Sequence, residues 1–560
     1  MKKKDKSNIK KGNFLFIVPM HLSFESFINP PDNARHFKKK DGKSYNSLAT
    51  DLPLGPLSIS SFIKKHIDIN VKLIDFNVEI NALDSFDFKD YLTFCLKYLN
   101  SIDFNPDIVG ISSLFSPSYH NFIDCAIASR KIWKDALIIG GGNIPTNSHN
   151  KIFKEHGANK IFDGLCFGEG EKPVLELLKS KDKKKFMNES NSWITFENFL
   201  NEDNLYKHDF IEDLDDIPFY DYDICNLDNH GMNPVMSAYA SHSDQNGFHI
   251  MTSRGCPFKC TFCASHKVHG RKMRYHSVER IEKDLENLKK NFNAKTIIFR
   301  DDHLMSDRDR VFKILKIIKK LDLKAIFQNG LTLYALDIEM LKAFYDAGIR
   351  QLVLPVESGS EKVLKHQMKK PLKMRISKKV AEDCRNLGIY TNTNILIGMP
   401  GETKDDIKQA LENLKSVPSN WFHVVCASPI VGSEMHEHAL KNGFISGETL
   451  GADYRFAVIN TNDFSSDYIQ KMQYIFNLDL NFVNNNDMKY KNYHNALHGF
   501  KNTIRVKEDH CFAHYFISIA YKNLKKIKES EFHLKRAIEL SKFKFWKKFI
   551  RYFKLKELYI

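Results

Sequence analysis

Two stretches of this 560-residue chain alternate short apolar runs with segments of helical spacing, and this alternation restricts the fold more than any other feature. The first stretch contains the runs "NFLFIVPM", "NVKLIDF", "PDIVGISS", "ALIIGGGN" and "NKIFDGLCFGEGE". The second contains "FHIMTSR", "AKTIIFRDD", "LKAIFQNG", "IRQLVLPVESG", "IYTNTNILIGMPG" and "WFHVVCASP". Strands that alternate with helices form parallel sheets, which the helices cover. We therefore predict an α/β protein, with a doubly wound parallel sheet over residues 13–180 and a partial (β/α)6 barrel over residues 246–430.

The remaining segments lack this alternation. Residues 1–12 form a basic tail, residues 181–245 are polar and irregular like a linker, and residues 431–484 form a C-terminal extension. Residues 485–560 are helical in pattern, and their similar segments Phe500–Val506 and Leu534–Leu540 lie 34 residues apart. This spacing is the tetratricopeptide period. We predict a tetratricopeptide-like tail that packs on the rest of the chain; an incidental helical hairpin is the alternative.

Composition and charge exclude several classes of protein. Hydrophobic residues make up 42% of the chain and charged residues 27%, as in globular proteins. No apolar run approaches the ~20 residues of a membrane span. The ten cysteines are mostly isolated, which indicates a reducing compartment and predicts a cytoplasmic protein. The net charge of +15 comes with lysines scattered over predicted helix faces, so a nucleic-acid partner is not favoured.

Three cysteines, Cys256, Cys260 and Cys263, lie within eight residues in "SRGCPFKCTFCASHK". Two kinds of metal site compete for them. In the first, His266 or His269 completes a zinc site. In the second, the thiolates hold an iron–sulfur cluster with one iron free of a protein ligand, because such clusters usually take four cysteines. The motif follows a predicted barrel strand, where active-site loops lie, and this position favours the cluster.

The spacing Cys256-x-x-x-Cys260-x-x-Cys263, with the aromatic Phe262 before the last cysteine, resembles the signature of the radical S-adenosylmethionine (SAM) superfamily. The resemblance implies a 4Fe-4S cluster whose open iron is chelated by SAM. It also implies that an electron from an external donor cleaves SAM to a 5′-deoxyadenosyl radical, which takes a hydrogen atom from the substrate. On this resemblance the three cysteines are the catalytic metal ligands, and Phe262 lies at the cofactor.

Three further segments resemble strands of the same superfamily. "IIFRDDHLM" resembles the second strand, with Asp301 and Asp302 at its end. "LVLPVESGSEKVLKHQMKKP" resembles the fourth, which implies that Glu357 and Ser358 lie near the adenosine ribose. A carboxylate can accept from two ribose hydroxyls, although a helix-capping role is the alternative for Glu357. "NILIGMPGET" resembles the fifth strand, where Gly398 would let the adenine approach.

The first stretch resembles the cobalamin-binding domain that precedes many radical SAM enzymes. The segments concerned are "LPLGPLSISSFIKK", "NPDIVGISS", "LIIGGGNIPTN" and "FGEGEKPVLELL". The chain lacks both the D-x-H-x-x-G pattern that supplies a histidine to cobalt in some cobalamin proteins and the G-x-G-x-x-G pattern of dinucleotide-binding domains. Cobalamin held without that histidine, and a domain that has lost the cofactor, both stay open. The resemblance implies cofactor contacts from the strand ends at Gly110, Ser112, Gly140, Gly141, Gly168 and Glu169.

Taken together, the resemblances imply a cobalamin-dependent methyltransferase that acts on an unactivated carbon of a small-molecule, lipid or peptide substrate. A non-methylating radical reaction, such as a cyclisation or rearrangement, is the alternative among enzymes. Methylthiolation of tRNA is disfavoured because the first stretch shows no second cysteine cluster. A cluster- or cobalamin-binding sensor, whose helical tail docks a protein partner, is the alternative from another class.

The last residues, "KFKFWKKFIRYFKLKELYI", interleave lysines with aromatic residues. Such a pattern fits an anionic membrane surface or a lipid or peptide substrate. The sequence favours the simpler interpretation, in which a terminal helix caps the repeat-like tail.

Overall fold

The computed structural model describes residues 12–30, 36–201, 205–230, 247–445, 449–450 and 456–558. Most of the predicted basic tail and the end of the predicted linker lie outside these residues. The chain divides into two compact units. The first contains the described parts of residues 1–24 and 50–230 together with residues 265–270, and the second contains the rest of the described chain. No helix in these ranges combines the length and the apolar character that crossing a membrane requires.

The chain up to residue 180 alternates strands with helices as the sequence predicts, and short helices and a further strand of the same sheet continue to residue 199, inside the segment predicted to be an irregular linker. Asp75, Asp90 and Asp182 begin three of the helices, because each carboxylate accepts from a free backbone N–H of the first turn. The strands are β1 (Gly12–Val18), β2 (His36–Lys38), β3 (Ser44–Asn46), β4 (Ile69–Asp75), β5 (Ile108–Ser112), β6 (Leu137–Gly141), β7 (Gly164–Cys166) and β8 (Trp193–Ile194). The helices are α1 (Phe24–Ile28), α2 (Leu54–His66), α3 (Phe76–Ala82), α4 (Tyr91–Asn100), α5 (Tyr119–Ile132), α6 (Asn143–His156), α7 (Glu171–Lys179), α8 (Lys183–Glu189) and α9 (Phe196–Phe199).

The first unit is built around a sheet in the order β4-β1-β5-β6-β7-β8. Its first five strands are parallel, and β8 runs antiparallel to β7. Residues 14–18 of β1 are almost completely buried, so both faces of this strand are covered. The predicted α/β class with a parallel N-terminal sheet is therefore confirmed. Strand succession reverses direction between β1 and β5, and in open sheets of this kind ligands bind at such a switch point, outside the carboxyl ends of the strands.

The chain from residue 247 to residue 441 repeats the alternation. Its strands are β9 (Gly247–Ile250), β10 (Ser253–Arg254), β11 (Arg274–Tyr275), β12 (Thr296–Phe299), β13 (Lys324–Phe327), β14 (Gln351–Glu357), β15 (Tyr390–Ile397) and β16 (Trp421–Cys426). Its helices are α10 (His266–His269), α11 (Val278–Phe292), α12 (Arg308–Lys320), α13 (Ile338–Asp346), a π-helical segment (Val363–Gln367), α14 (Met374–Leu387), α15 (Lys404–Leu414) and α16 (Glu434–Lys441).

Six of these strands form the wall of the second unit. They pair in parallel in two groups, β13-β12-β9 and β14-β15-β16, and β13 lies beside β14. Along β14 the burial alternates: Leu352, Leu354 and Val356 are fully buried, whereas Val353 and Pro355 are half-buried. One face of the strand is thus packed and the other is more accessible, as expected for the wall of a barrel.

The C-terminal part of the chain is helical, which confirms that part of the predicted fold; its tetratricopeptide character stays a prediction. The ring of Phe482 stacks on Phe500 at 5.3 Å and meets Trp421 of β16 edge-on at 5.7 Å, so aromatic packing joins these helices to the sheet. The helices are α17 (Ser466–Leu478), a π-helical segment (Asp479–Val483), α18 (Asn486–Lys489), α19 (Tyr493–Val506), α20 (Cys511–Asn523), α21 (Ile527–Ser541) and α22 (Lys544–Tyr552).

Strand β16 lies at the edge of its sheet, and two side chains from the helices that follow it bond to its free backbone groups. Asn481 accepts from the backbone N–H of Phe422 at 2.7 Å and donates to the carbonyl of the same residue at 2.8 Å. Gln473 donates to the carbonyl of Val424 at 2.8 Å. Asn481 is fully buried, so water cannot reach these backbone groups. The amide of Asn481 therefore makes the hydrogen bonds that a neighbouring strand would make.

A buried carboxylate closes the turn between β15 and α15. Glu402 is fully buried, and its Oε2 accepts from the backbone N–H groups of Gly398 at 2.6 Å and Met399 at 2.7 Å. Its Oε1 has no hydrogen-bond partner among the described residues. Burial raises the pKa of Glu402 to about 7, although the two N–H donors oppose this rise.

Replacing Asn481 with alanine is expected to lower the free energy of unfolding by about 2–6 kcal/mol, because two buried backbone groups lose their partner at about 1–3 kcal/mol each. Urea-induced unfolding of the full chain measures this loss. Asn291, an exposed residue of α11, is the matched control, and Asn291→Ala should change stability by less than about 0.5 kcal/mol. Equal effects of the two substitutions would contradict the role assigned to Asn481.

The stability of the chain should also depend on the proton of Glu402. Because its pKa is higher in the folded chain than in the unfolded chain, the stability that this group contributes is complete below the unfolded pKa of about 4.3 and is lost as the pH rises through about 7. The loss is at most about 4 kcal/mol. Glu402→Gln cannot titrate but keeps an oxygen acceptor for both amides. Urea unfolding at about pH 5 and about pH 8 should therefore show a smaller pH dependence in the variant, and identical pH dependence would refute the assignment.

Candidate functional site: the cysteine loop and the ends of the parallel strands

The three cysteines lie in a loop that leaves β10. Strand β10 pairs antiparallel with β11, and Gly255 turns the chain with a φ of +93°, a left-handed conformation that favours glycine. Thr261 then anchors the loop: its N–H donates to the carbonyl of Met368 at 3.1 Å, and its hydroxyl donates to the carbonyl of Gln367 at 2.6 Å. Cys256, Cys260 and Cys263 are half-buried on this anchored loop, as is the adjacent Phe262, so their side chains stay accessible to a ligand.

Asp301 holds the strand from which the loop starts. Its carboxylate accepts from the N–H of Thr252 at 3.1 Å, from the hydroxyl of Thr252 at 2.7 Å and from the hydroxyl of Ser253 at 2.6 Å. Asp301 is 1% exposed, and burial raises its pKa. The hydrogen bonds and the nearby charge of Arg310 act in the opposite direction and lower the pKa, but burial is the larger effect. The oxygen Oδ2 of the adjacent Asp302 is buried without a hydrogen-bond partner in the described chain. The carboxylate of Asp301 is therefore used to hold the base of the cysteine loop. Among the described residues, the carboxylate oxygen without a hydrogen-bond partner belongs to Asp302.

The environment of the thiols suits a cationic partner. Burial raises the pKa of Cys256 to about 11, and Asp302 and the other two thiols of the loop add to the rise. Burial also raises the pKa of Cys260, which Lys370 opposes. A thiolate in such a place needs a positive charge beside it, and iron supplies that charge. No three His, Cys, Asp or Glu side chains in the described ranges converge on one point that would hold a single metal ion. A cluster spreads its cysteines over several irons, so the half-buried trio fits a cluster.

Glu357 ends β14 in an unusual conformation. Its φ is +70°, and the pairing of β14 with β15 shifts register between Pro355 and Glu357. A non-glycine residue in this region is strained, and such strain is concentrated at functional sites. The Glu357 carboxylate is half-buried and lies 3.4 Å from the amine of Lys370. The next residue, Ser358, is 1% exposed and accepts from the N–H of Ser360 at 3.1 Å. Lys370 thus lies beside the Glu357 carboxylate, and its charge also acts on the thiol of Cys260. This lysine was not singled out from the sequence.

Gly398 follows β15 in a tightly packed turn. Its φ is +87°, its N–H donates to Glu402, and a Cβ built on it would lie 2.8 Å from the side chain of Ile469. Glycine is required here for the turn and for the close approach of Ile469. The Gly398 backbone is therefore engaged by the protein on both sides.

Aromatic side chains surround the start of the cysteine loop. The ring of Phe258 lies 5.0 Å from the ring of His303 and 6.2 Å from that of Tyr334, which is 49% exposed. Isolated aromatic residues in different segments carry no sequence signal of their own, so only the fold brings these three rings together.

In the first unit, the glycines predicted at the strand ends divide into two groups. A Cβ on Gly110 would lie 2.8 Å from the ring of Phe14, and one on Gly140 would lie 2.7 Å from Leu165 and 2.8 Å from Phe122. These two glycines make room for core packing. In contrast, a Cβ on Gly141 would meet nothing within 4 Å. Gly141 thus borders open space, where a planar group could approach the backbone.

The switch point between β1 and β5 carries exposed apolar side chains that the sequence did not single out. Leu114 and Phe115 follow β5 directly and are 57% and 36% exposed. The ring of Phe115 meets that of His21, which follows β1, at 5.0 Å. Ser112, at the end of β5, is half-buried. Together with Gly141 these residues form an apolar rim, which is the surface chemistry that a large planar cofactor takes.

Gly168 and Glu169 contact the short helix α10, which belongs to the first unit. Glu169 is 6% exposed, and its Oε1 lies 2.8 Å from Nδ1 of His269. Gly168 has a φ of +84°, and a Cβ on it would lie 3.3 Å from the carbonyl of Val268. His208 adds a hydrogen bond of 2.8 Å to the carbonyl of Lys267. This corner thus fastens α10, and it occupies one ring nitrogen, Nδ1, of His269, one of the two histidines considered as zinc ligands.

Comparison with known proteins matches two parts of the chain to known families. Residues 52–178 match the B12 binding domain, and residues 250–414 match the radical SAM superfamily. The chain is 25% identical to an uncharacterised methyltransferase of Pyrococcus horikoshii over 71% of this chain and 80% of the relative. It is 24% identical to the cytidylyl-2-hydroxyethylphosphonate methyltransferase of Streptomyces wedmorensis over 68% of this chain and 76% of that protein.

A solved structure shows the same fold. The cobalamin-dependent SAM radical enzyme OxsB, with aqua-cobalamin and SAM bound, superimposes with a TM-score of 0.60 at 16% identity, and the match covers 98% of this chain and 80% of OxsB. The half-buried cysteine trio, the accessible glycine and apolar rim at the switch point, and the two family matches agree with one another. This chain belongs to the cobalamin-dependent radical SAM enzymes, which unite a B12-binding domain with a radical SAM domain and use a 4Fe-4S cluster, SAM and cobalamin.

Proposed function

We propose that this enzyme transfers a methyl group to an unactivated carbon of its substrate. One observation carries the proposal: the B12-binding and radical SAM domains occur in one chain, and two relatives that each match more than two thirds of it are named methyltransferases. Bound together, the three cofactors supply a hydrogen-abstracting radical, a methyl carrier and the methyl group itself. What the protein adds is the placement and environment of these groups.

The cysteine loop would hold the cluster through Cys256, Cys260 and Cys263, with Phe262 beside it. The anchoring of Thr261 and the bonds of Asp301 support this role, because they fix the loop before any ligand binds. A preorganised loop avoids the entropy cost of ordering at the moment of binding. An external electron donor must reach the cluster, and the half-exposed Tyr334 and Phe258 mark the accessible side of the loop.

Glu357 and Ser358 would orient the nucleoside of SAM. The strained backbone of Glu357 supports this role, because it aims a carboxylate away from the regular course of β14. The amine of Lys370 lies 3.4 Å from that carboxylate, and a carboxylate can accept from two hydroxyls. Asp302, with its unpartnered buried oxygen, is a second acceptor, whereas Gly398 and Asp301 support the site through the backbone.

Cobalamin would lie over the carboxyl ends of β1, β5 and β6. Open space at Gly141 and the exposed side chains of Leu114 and Phe115 support this position. Gly110 and Gly140 would act indirectly, by keeping the sheet packed under the cofactor. Gly168 and Glu169 would contribute by fastening α10. Ser112 is the polar group at this strand end that remains half-exposed to a ligand.

Cys260→Ala is expected to reduce formation of 5′-deoxyadenosine from SAM by at least about 10³-fold, because removing one member of a catalytic unit removes nearly all of its effect. The assay uses the full chain, purified and reconstituted without oxygen and supplied with a chemical reductant. Cys225→Ala, which removes a half-buried cysteine outside the loop, is the matched control and should keep the activity. A variant at Cys260 with normal cluster content and normal cleavage would contradict the ligand assignment.

Methyl transfer is tested with SAM labelled in its methyl group. The full holoenzyme is incubated anaerobically with a metabolite extract, and the label is followed by mass spectrometry in small-molecule, lipid and peptide fractions. A labelled product that also requires cobalamin supports methyl transfer. An unlabelled product formed together with 5′-deoxyadenosine would overturn it in favour of a cyclisation or rearrangement. Binding of SAM and cobalamin without cleavage would indicate a sensor instead.

A further inference from the structure

Residues 542–556 form a strongly basic segment at the end of the helical tail. Within these fifteen residues there are seven lysine and arginine residues and no aspartate or glutamate. Helix α22 (Lys544–Tyr552) occupies the centre of the segment. A stretch of this composition has no internal partner for its charge, so its partner must come from elsewhere in the chain or from outside it.

The apolar side of α22 packs against the protein. Trp546, Phe549 and Ile550 are at most 3% exposed. The ring of Phe549 lies 4.9 Å from that of Tyr474, and the ring of Trp546 lies 4.8 Å from that of His510. At 100° per residue these three buried positions form one stripe along the helix. The packing fixes the opposite stripe toward solvent.

The solvent side of α22 is a face of cations, which we call the basic face. It contains the exposed residues Lys544, Lys547, Lys548 and Arg551, and exposed lysines also precede and follow the helix. In the part of the chain that the structure describes, none of these side chains forms an ion pair with a carboxylate. The neighbouring Glu557 accepts from the hydroxyl of Tyr515 at 3.0 Å. The basic face thus carries a concentrated charge with no counterpart in this unit.

Three large aromatic side chains border the basic face. Phe543, Phe545 and Tyr552 are 61%, 43% and 53% exposed. Tyr552 and Phe545 lie on the same flank of the helix, because seven residues complete almost two turns. Rings beside lysines at a surface are the arrangement found where proteins meet the headgroup layer of a membrane.

The geometry of Phe545 separates a lipid from a nucleic acid. The amine of Lys548 lies over its ring at 4.9 Å from the centroid, and Tyr474 and Trp546 meet the ring edge-on at 5.3 Å and 5.0 Å. A nucleic-acid base needs a free ring face for stacking. The exposed part of Phe545 can enter an apolar layer, but its face is already shared with Lys548. The exposed edge of Phe545 and its covered ring face together favour a lipid surface over a nucleic acid as the partner.

We propose that the basic face of α22 docks this enzyme on an anionic lipid surface, with Phe543, Phe545 and Tyr552 entering the headgroup layer. Contact is peripheral, because the apolar stripe of the helix stays packed in the protein. Attraction comes from the cations and therefore weakens as salt rises. This surface is independent of the proposed reaction, and either assignment can fail alone.

The test is co-sedimentation of the full-length holoenzyme with vesicles of phosphatidylcholine alone or with about a third of phosphatidylglycerol, at two ionic strengths. The protein should bind the anionic vesicles, and added salt should release it. Replacing Lys544, Lys548 and Arg551 with glutamine should weaken binding about a hundredfold, since each cation near the surface contributes about fivefold. Phe543→Ser with Tyr552→Ser should weaken binding while leaving its salt dependence unchanged.

A control on another exposed helix separates this site from the general positive charge of the chain. Replacing Lys313, Lys316 and Lys319 of α12 with glutamine removes the same charge from the same unit and should leave vesicle binding within about twofold of the original. Equal losses in the two triple variants would overturn the proposal, as would equal binding to both kinds of vesicle. Binding to single-stranded RNA that only the α22 variant loses, with vesicle binding retained, would assign the surface to nucleic acid instead.

Discussion

The position of the cysteine loop depends on one buried carboxylate. Asp301 accepts from the backbone and hydroxyl of Thr252 and from the hydroxyl of Ser253, at the base of the loop. Burying a charge is costly unless hydrogen bonds compensate it, and the raised pKa of Asp301 reflects the cost that remains. The chain uses this carboxylate to fix a strand end, so the three thiols start from a rigid base.

The same physical rule operates elsewhere in the second unit. The strands of a parallel sheet leave backbone groups that have no partner in the sheet, and buried side chains satisfy them. Glu402 does so after β15, and Asn481 does so along the edge of β16. The helical tail is therefore part of the sheet's hydrogen bonding and aromatic packing, since the ring of Phe482 next to Asn481 also contacts Trp421.

Much of this architecture could be predicted from patterns in the chain. Alternating apolar runs indicated both parallel sheets, and the spacing of Cys256, Cys260 and Cys263 indicated the cluster. The roles of single residues were harder to predict. Gly110 and Gly141 look alike in sequence, yet the first is covered by Phe14 and the second borders open space. Whether a strand-end glycine faces the core or a ligand depends on neighbours that are remote in sequence.

The sequence by itself determined the alternation of strands and helices in its two main stretches, the order of the B12-binding and radical SAM domains and the spacing of the three cysteines, because these follow from the placing of residues within a few turns or one loop. Only the tertiary structure decided which partners the polar groups take. It paired Lys370 with Glu357 and His269 with Glu169, and it buried one stripe of α22 so that the cations of the other stripe face solvent. These pairings and this burial depend on contacts between segments far apart in the chain. The energy of each contact depends on how deeply the groups are buried, which is set only when the chain has folded.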